Sequence, residues 1–397
     1  MKRIRVAHVI TKLELGGAQN IALHTVEHLD PTLFEAHLVC GRGGMQDGRA
    51  RALARAGVVR VRFITHLIRQ IRPWTDCLGF LELLEAFLSI RPDIVHTHSS
   101  KAGVLGRAAA ALCRMLTGSP RVIVHTVHGF GFHPRQAAVV RTLFETVEWA
   151  CSRITDRLIF VSQANRNHAG ALGIARPGRT ELIRAGLPTA MFVGVTAQRA
   201  RVRREMGIHE DAFVITTIGP FKPQKNHADF VRLAARLRDI AAVRGERPPL
   251  FLVAGDGILR PYIESLIRRS GVEDIVRLLG WHRNIPSLLG ASDLLVMTSR
   301  WEGLPVAAVE ALVAGLPVAA FRIDGLADII ENGVNGFLVT PGDVAALADA
   351  VHTIRTDRSF RERLQSASKT AMIEEFDIDR MVARTERLYR VLMHRLC

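Results

Sequence analysis

Two successive series of short β-type runs, each run followed by a helically spaced segment, constrain this chain most. The first series reads IRVAHVI, EAHLVC, DIVHTH, RVIVHTVHG and DRLIFVS, and the second AFVITTIGP, LFLVAGDG, IVRLLGW, DLLVMTS and PVAAFR. Strand-helix alternation of this kind points to parallel, doubly wound sheets. A chain of 397 residues is long for a single core, since domains usually run to roughly 100–200 residues. The two series therefore read as two α/β domains. The join is expected within residues 184–208, where Gly, Pro and a basic run interrupt the periodicity. The expected division is residues 1–190, residues 191–375 and a final helix at 376–397.

A hydrophobic content of 48% is ample for packed cores. The start, MKRIRVAHVITKLELGG, is basic like a secretion signal, but His8, Lys12 and Glu14 break its apolar run, so it reads as a first strand. Later apolar stretches are cut by Glu82 and Glu85, by Arg107 or by Glu310, and none reaches the ~20 uninterrupted apolar residues a membrane span needs. Cys40, Cys77, Cys113, Cys151 and Cys397 are odd in number and never paired as Cys-x-x-Cys. Reduced thiols in a cytosol and no structural zinc are the expectation.

The net charge is +15, a field that attracts phosphates, nucleic acid or anionic lipid. Between Arg49 and Thr75 stand seven arginines (Arg49, Arg51, Arg55, Arg60, Arg62, Arg69, Arg72) and no acid, interleaved with Phe63, Ile64, Leu67, Ile68, Ile71 and Trp74. Two readings fit: an amphipathic segment that meets an anionic membrane surface, or an arginine-biased chain that places arginine on every solvated face. No helix-turn-helix, RNP-type or zinc-finger signature is present, so nucleic acid is not the expected partner.

Ligands of open parallel sheets bind beyond the carboxyl ends of the strands. Those ends are rich in glycine and polar residues here: LGG, HTHSSKAG, HTVHGFGFH, GPFKPQKN, GDG, TSRWEGLP and RIDGLAD. In SRWEGLPVAAVEALVAGLPV, the strand ends at Ser299, Pro305 suits a first helical turn, and Gly315 followed by Pro317 closes the helix. Glu302 then lies in the loop and Glu310 within the helix. Eight residues of helix rise about 12 Å, too far for an acid-base pair of the glycosidase kind, which spans roughly 5–9.5 Å. The two carboxylates instead suit opposite ends of one extended ligand, with the helix start between them suited to a phosphate. Mere solvation is the rival reading, but the neighbours of Glu310 are mostly apolar.

EGLPVAAVE resembles the Glu-x7-Glu motif of retaining GT-B glycosyltransferases of family four. LGGAQN, VHTVHGFGFH, DRLIFVSQANR, GPFKPQKN and VAGDGILRP resemble further segments of that family in the same order, so the likeness spans nearly the whole chain. It implies an α/β GT-B fold, two facing Rossmann-like domains around a central cleft, with the final helix returning to the first domain. It also implies a nucleoside diphosphate sugar as donor substrate, no cofactor and no metal. Glu302 would contact hydroxyls of the donor sugar, with the N–H groups of Gly303 and Leu304 beside it, and Glu310 would hold the ribose. Lys225 would neutralise the diphosphate, where negative charge builds as the glycosidic bond breaks. His128 would sit near the anomeric carbon. Gly16 and Gly17 would let backbone approach phosphates or acceptor without a Cβ in the way, and Arg283 would lie in the loop facing the base.

The family places an arginine after the glycine of the phosphate loop, where this chain has Pro220; Lys222 is the candidate substitute. With 47 arginines and only 6 lysines in the chain, lysine at 222 and 225 reads either as a required compact point charge or as chance. RIDGLAD departs from the family's Gly-Gly and later Glu at Asp324, Gly325 and Asp328. His96, His98, His125, His128 and His133 do not form a metal set, because no carboxylate or cysteine at ligand spacing completes one. His98, Lys101, Phe130 and His133 look like acceptor contacts, as in bacterial members that build exopolysaccharide, capsule or lipopolysaccharide. The expected acceptor is a saccharide or lipid-linked saccharide, and the expected location is the cytoplasm, peripheral on the inner face of the plasma membrane. A sugar-nucleotide epimerase of the same fold, and a nucleotide-sugar-binding protein that has lost catalysis, are the alternatives.

Overall fold

A computed structural model describes residues 3–133, 136–367 and 369–395, with backbone alone at 369–371. Cys397 lies outside the described residues; Cys40, Cys77, Cys113 and Cys151 are free thiols.

Thirteen strands form two all-parallel sheets among the described residues. The first contains β1 (Ile4–Lys12), β2 (Phe34–Gly41), β3 (Arg60–Ile64), β4 (Ile94–His98), β5 (Val122–Val127), β6 (Arg157–Phe160) and β7 (Thr180–Leu182), in the order β3-β2-β1-β4-β5-β6-β7. The second contains β8 (Val214–Ile218), β9 (Leu250–Ala254), β10 (Val276–Gly280), β11 (Leu294–Met297), β12 (Val318–Phe321) and β13 (Gly336–Val339), in the order β10-β9-β8-β11-β12-β13. Both orders reverse beside the first strand, so the switch points fall between β1 and β4 and between β8 and β11. Those are the places where doubly wound sheets bind ligands.

The central strands are buried on both faces, most of them as continuous apolar runs, while β4 (IVHTH) buries His96, Thr97 and His98. β3 and β7 carry no such run, β13 (GFLV) is only four residues long, and all three lie at sheet edges. In β3, RVRFI, the arginines suit an exposed edge that must not pair with another chain.

The chain divides into residues 1–186 with 378–397, and residues 187–377. The basic run near the join is no linker: helix Arg199–Glu205 belongs to the second unit. There Arg203 and Arg199 bond opposite oxygens of Asp293 at 2.9 and 2.6 Å. The final helix, Ile378–His394, buries Ile378, Met381, Val382, Thr385, Leu388, Tyr389 and Leu392 at helical spacing. It is part of the first unit, where Glu386 accepts from the Asp30 N–H at 2.6 Å.

Arg107, which interrupts an apolar helix in the sequence, is fully buried. Its guanidinium donates to Gly103 O and to Glu148 Oε2, each at 2.7 Å. Burial of this charge is offset by the paired carboxylate and the carbonyl.

Candidate active site

The β8–β11 switch point is built by two loops laced together. The loop after β8 turns at Gly219 and Pro220 and runs to Asn226, whose left-handed backbone (φ 50°) opens helix His227–Arg244. From the loop after β11, the Arg300 N–H donates to Gln224 O at 2.8 Å, and the Thr298 hydroxyl donates to Asn226 O at 3.0 Å. In return, Gln224 Nε2 donates to Trp301 O at 2.9 Å and to Glu302 Oε2 at 3.2 Å. The outcome is an ion pair, Lys225 Nζ to Glu302 Oε1 at 2.5 Å, with side chains only 16% and 8% exposed.

Two glycines allow the loops to close on each other. A Cβ on Gly255, in the loop after β9, would lie 1.9 Å from Gly219 O, and its φ of 153° already excludes most side chains. A Cβ on Gly325 would lie 2.0 Å from Gly303 O. The departing RIDG segment is thus pressed directly on the loop that carries Glu302, at helix Asp324–Ala327.

Helix Val306–Ala314 follows, ended by Gly315 in the left-handed conformation. Pro305 is its N-cap rather than its first helical residue, because its extended backbone (ψ 96°) lies outside the helix. Gly303 and Leu304 precede the cap, with Leu304 buried. Glu310 is only partly shielded by surface area yet densely enclosed, and that burial pushes its carboxyl up to about 8, against an opposing pull from the Lys225 charge. The Lys225 charge therefore acts on both acids. Lys222 shares the turn, with the Lys225 N–H donating to Lys222 O at 3.1 Å. Arg283 is exposed in the loop after β10.

In the first unit, Gly16 is the extended N-cap of helix Gly17–His28, directly after β1. β1 and β4 pair with His8 opposite His96, and His98 and His128 follow at the carboxyl ends of β4 and β5. His8 stacks on His98 with ring centroids 5.2 Å apart. Burial holds His8 down to about 3 and His128 to about 4, and pushes His96 and His98 well below the usual imidazole range. One ring nitrogen from each of His8, His96 and His98 lies within 4.8 Å of the others. Those nitrogens are engaged in hydrogen bonds to neighbouring rings and to Tyr389. His8 and Tyr389 were not expected in this group.

Residues 198–371 match the family described as Glycosyl transferases group 1, and residues 15–190 match Glycosyltransferase Family 4. EpsD of Bacillus subtilis, described as a glycosyltransferase, is 31% identical over 306 residues, covering 76% of this chain and 77% of its own. The UDP-Gal:alpha-D-GlcNAc-diphosphoundecaprenol alpha-1,3-galactosyltransferase of Escherichia coli is 28% identical over 393 residues, 98% of this chain and 97% of its own. The chain belongs to glycosyltransferase family 4. Its fold is GT-B: the crystal structure of Anabaena HepE in complex with UDP and glucose matches with a TM-score of 0.81 at 21% identity, covering 98% of this chain and 100% of that one.

The four residues expected as acceptor contacts in this family 4 chain have the following surroundings. His98 is buried with both ring nitrogens engaged, 3.0 Å from His8 and 3.0 Å from His128, so it supports His128 instead of meeting a ligand. Lys101 is ion-paired with Asp76 and donates to Gln70 O, which ties two helices. Phe130 stacks on Phe132 with centroids 4.6 Å apart, packs against the small core around Phe160 and Ile174, and lines a small cavity with Gly129 and His128. His133 is partly buried, its N–H donating to Gln136 Oε1 at 2.9 Å.

The basic segment is not one amphipathic element either. It divides among helix Asp47–Arg55, edge strand β3 and the approach to helix Pro73–Ile90. Ile64 and Leu67 are core residues. Arg49 pairs with Glu27, Arg60 with Glu35 and Arg62 with Glu85.

Proposed function

We propose that this glycosyltransferase moves a sugar, with retention, from a nucleoside diphosphate donor to a hydroxyl of a saccharide or lipid-linked saccharide in bacterial surface polysaccharide synthesis. The observation that carries the reading is the Lys225–Glu302 pair at the β8–β11 switch point, with Glu310 within the field of the same ammonium. An ammonium that pairs with one carboxylate and acts on the charge of a second suits a ligand that is a polyol at one end, a diphosphate in the middle and a ribose at the other. As the bond from C1 to the phosphate oxygen breaks, its electron pair stays on that oxygen, where Lys225 stabilises the growing charge. The acceptor oxygen attacks C1 on the same face, and its proton passes to the departing phosphate.

The role of His128 at the donor sugar, and those of Gly16, Gly17, Gly303, Leu304 and Lys222 at the diphosphate, carry over from the family resemblance. The donor base is uridine in this reading, which the names of the Escherichia coli relative and the Anabaena complex support. The same relative's name supports a lipid-linked acceptor. The reaction is metal-independent here, since Lys225 supplies the charge that a divalent ion would otherwise bring. The test is release of nucleoside diphosphate from candidate UDP-sugars, with and without membrane extract. Acceptor-dependent release is expected; release of free nucleotide together with an altered free sugar would favour the epimerase, and donor binding with no turnover would favour the binding protein.

Peripheral attachment at a cytosolic membrane face is part of the proposal. No helix among the described residues is long and apolar enough to cross a membrane. Helix Pro73–Ile90 and its approach expose an apolar stripe: Ile71 at 68%, Trp74 at 86%, Leu78 and Leu81, beside the exposed Arg69 and Arg72. An exposed Trp flanked by arginine suits the headgroup region of anionic lipid. Replacing Ile71 and Trp74 with serine and Arg69 and Arg72 with alanine should abolish sedimentation with anionic liposomes and leave donor affinity unchanged. Undiminished sedimentation would remove this surface from the proposal.

A further inference from the structure

Helix Gly17–His28 buries Ile21, Ala22, Leu23, Thr25 and Val26 and leaves His24, Glu27 and His28 on its more exposed side. Residues three and four apart are neighbours on a helix surface, so the segment HTVEH brings two imidazoles and a carboxylate together. The two rings stack with centroids 3.7 Å apart and planes 15° from parallel. One ligand atom from each of the three residues lies within 4.8 Å of the other two. His-x-x-Glu-His on a helix is also the spacing of one class of zinc sites. So short a motif recurs by chance, and the bonds around it say more.

Those bonds brace two of the three groups from behind. His28 Nδ1 lies 3.0 Å from His24 O. A carbonyl oxygen only accepts, so Nδ1 carries the hydrogen and the neutral ring keeps its lone pair on Nε2. Glu27 Oε2 accepts from Arg49 Nη2 at 2.5 Å, which fixes the carboxylate and leaves Oε1. Hydrogen bonds of this kind, made by the far atom of each ligand, are what orient ligands in metal sites. The His24 side chain is 15% exposed, and burial, with the charge of His28, lowers its pKa below the usual imidazole value despite the acids nearby. Its ring is therefore neutral at pH 7 and has a lone pair to give. Asp379, in the first turn of the final helix, places Oδ1 3.5 Å from His24 Nε2. That is long for a hydrogen bond, but close to the roughly 3.4 Å that separates two ligands each about 2.1 Å from one tetrahedral ion.

We propose that His24, Glu27 and His28 bind one divalent ion of the zinc class, with Asp379 supplying a further oxygen from the final helix. Two imidazoles with carboxylate suit zinc, and not magnesium, which takes oxygen ligands. The ion is separate from the sugar-transfer chemistry, where Lys225 supplies the charge. It pins helix Gly17–His28 to the helix that completes the first unit. Because the ligands come together only when both helices are folded and packed, the ion stabilises the native chain.

The experiment is calorimetric titration of the untagged, metal-stripped full chain with zinc chloride in excess magnesium, which occupies sites made of carboxylates alone. The native chain is expected to bind one equivalent. Binding should be lost in His24→Gln and His28→Gln, and weakened by at least about tenfold in Glu27→Gln and Asp379→Asn. Glutamine is a good helix former, so the histidine variants should keep the native circular dichroism spectrum. Cobalt(II) in place of zinc should give the visible bands of a nitrogen and oxygen site without a thiolate charge-transfer band, which separates this site from one at the exposed Cys77. Zinc should also raise the melting temperature of the native chain and leave that of the double variant His24→Gln/His28→Gln where it was. No stoichiometric binding by the native chain overturns the proposal, and that result needs no variant to fold. Full binding by the double variant places the ion elsewhere and overturns it equally. Undiminished affinity in Asp379→Asn overturns the link to the final helix.

Discussion

Alanine at position 225 is expected to lower turnover by roughly 10²–10³-fold, the usual cost of removing one group aimed at developing charge. The measurement is the rate of nucleoside diphosphate release at saturating donor. Lys225 is held at 2.5 Å from Glu302 and lies within the field of Glu310. Without it, the departing diphosphate loses its cation and the two acids lose the charge that offsets them. Arginine should recover only part of the rate, because a planar guanidinium does not reproduce a compact ammonium held on a short carboxylate contact. Turnover within threefold of native in the alanine variant would take Lys225 out of the mechanism.

Glutamine at position 310 is expected to weaken donor binding by about 10–100-fold above about pH 8, where Glu310 is ionised, the worth of one or two hydrogen bonds to a charged acceptor. The same substitution should raise thermal stability in a pH-dependent way. Enclosure lifts the Glu310 carboxyl from 4.5 to about 8. Between those values the folded chain keeps a proton that the unfolded chain has released, so this group's contribution to stability falls as pH rises through that window. Glutamine has no proton to lose. The melting-temperature advantage of the variant should therefore be small near about pH 5 and largest above about pH 8, and donor affinity of the native chain should rise as Glu310 ionises. An advantage that is flat with pH would show that Glu310 ionises normally in the folded chain.

The parts of this architecture that are legible in the sequence are those built from local signals. Central strands such as Leu250–Ala254 and Leu294–Met297 are bounded apolar runs, and Glu302, Lys225 and Gly315 sit at strand ends and a helix stop where their chemistry has a local reason. The edge strands β3, β7 and β13 are short or polar, so no periodicity marks them. Without that strand the arginines of β3 join one continuous basic run, for which a membrane-facing segment is one of two readings. Lys101 looked like a ligand group because its partner, Asp76, lies on a different helix. The buried histidine group was out of reach for the same reason: Tyr389 bonds His8 across 381 positions of sequence, and only the strand order places His8 beside His96. The pairing of β1 with β4 is itself a rule of doubly wound sheets, and it was the one signal that could have added His8 to the group.

The excursion of the chain from Gly186 to Ile378 imposes an order on biosynthesis. The second unit is continuous and can fold as soon as it leaves the ribosome. The first cannot, because its last helix is made last. At common synthesis rates of 5–20 residues per second, its sheet waits roughly 10–40 s for the helix that carries Tyr389. During that interval the groove for Ile378, Met381 and Leu388 is open, and His8 and His96 lack the hydroxyl that joins them. The nascent first unit is thus the stage of this protein's life most exposed to chaperones and to mispairing, and a chain stopped after Asp377 would remain there permanently.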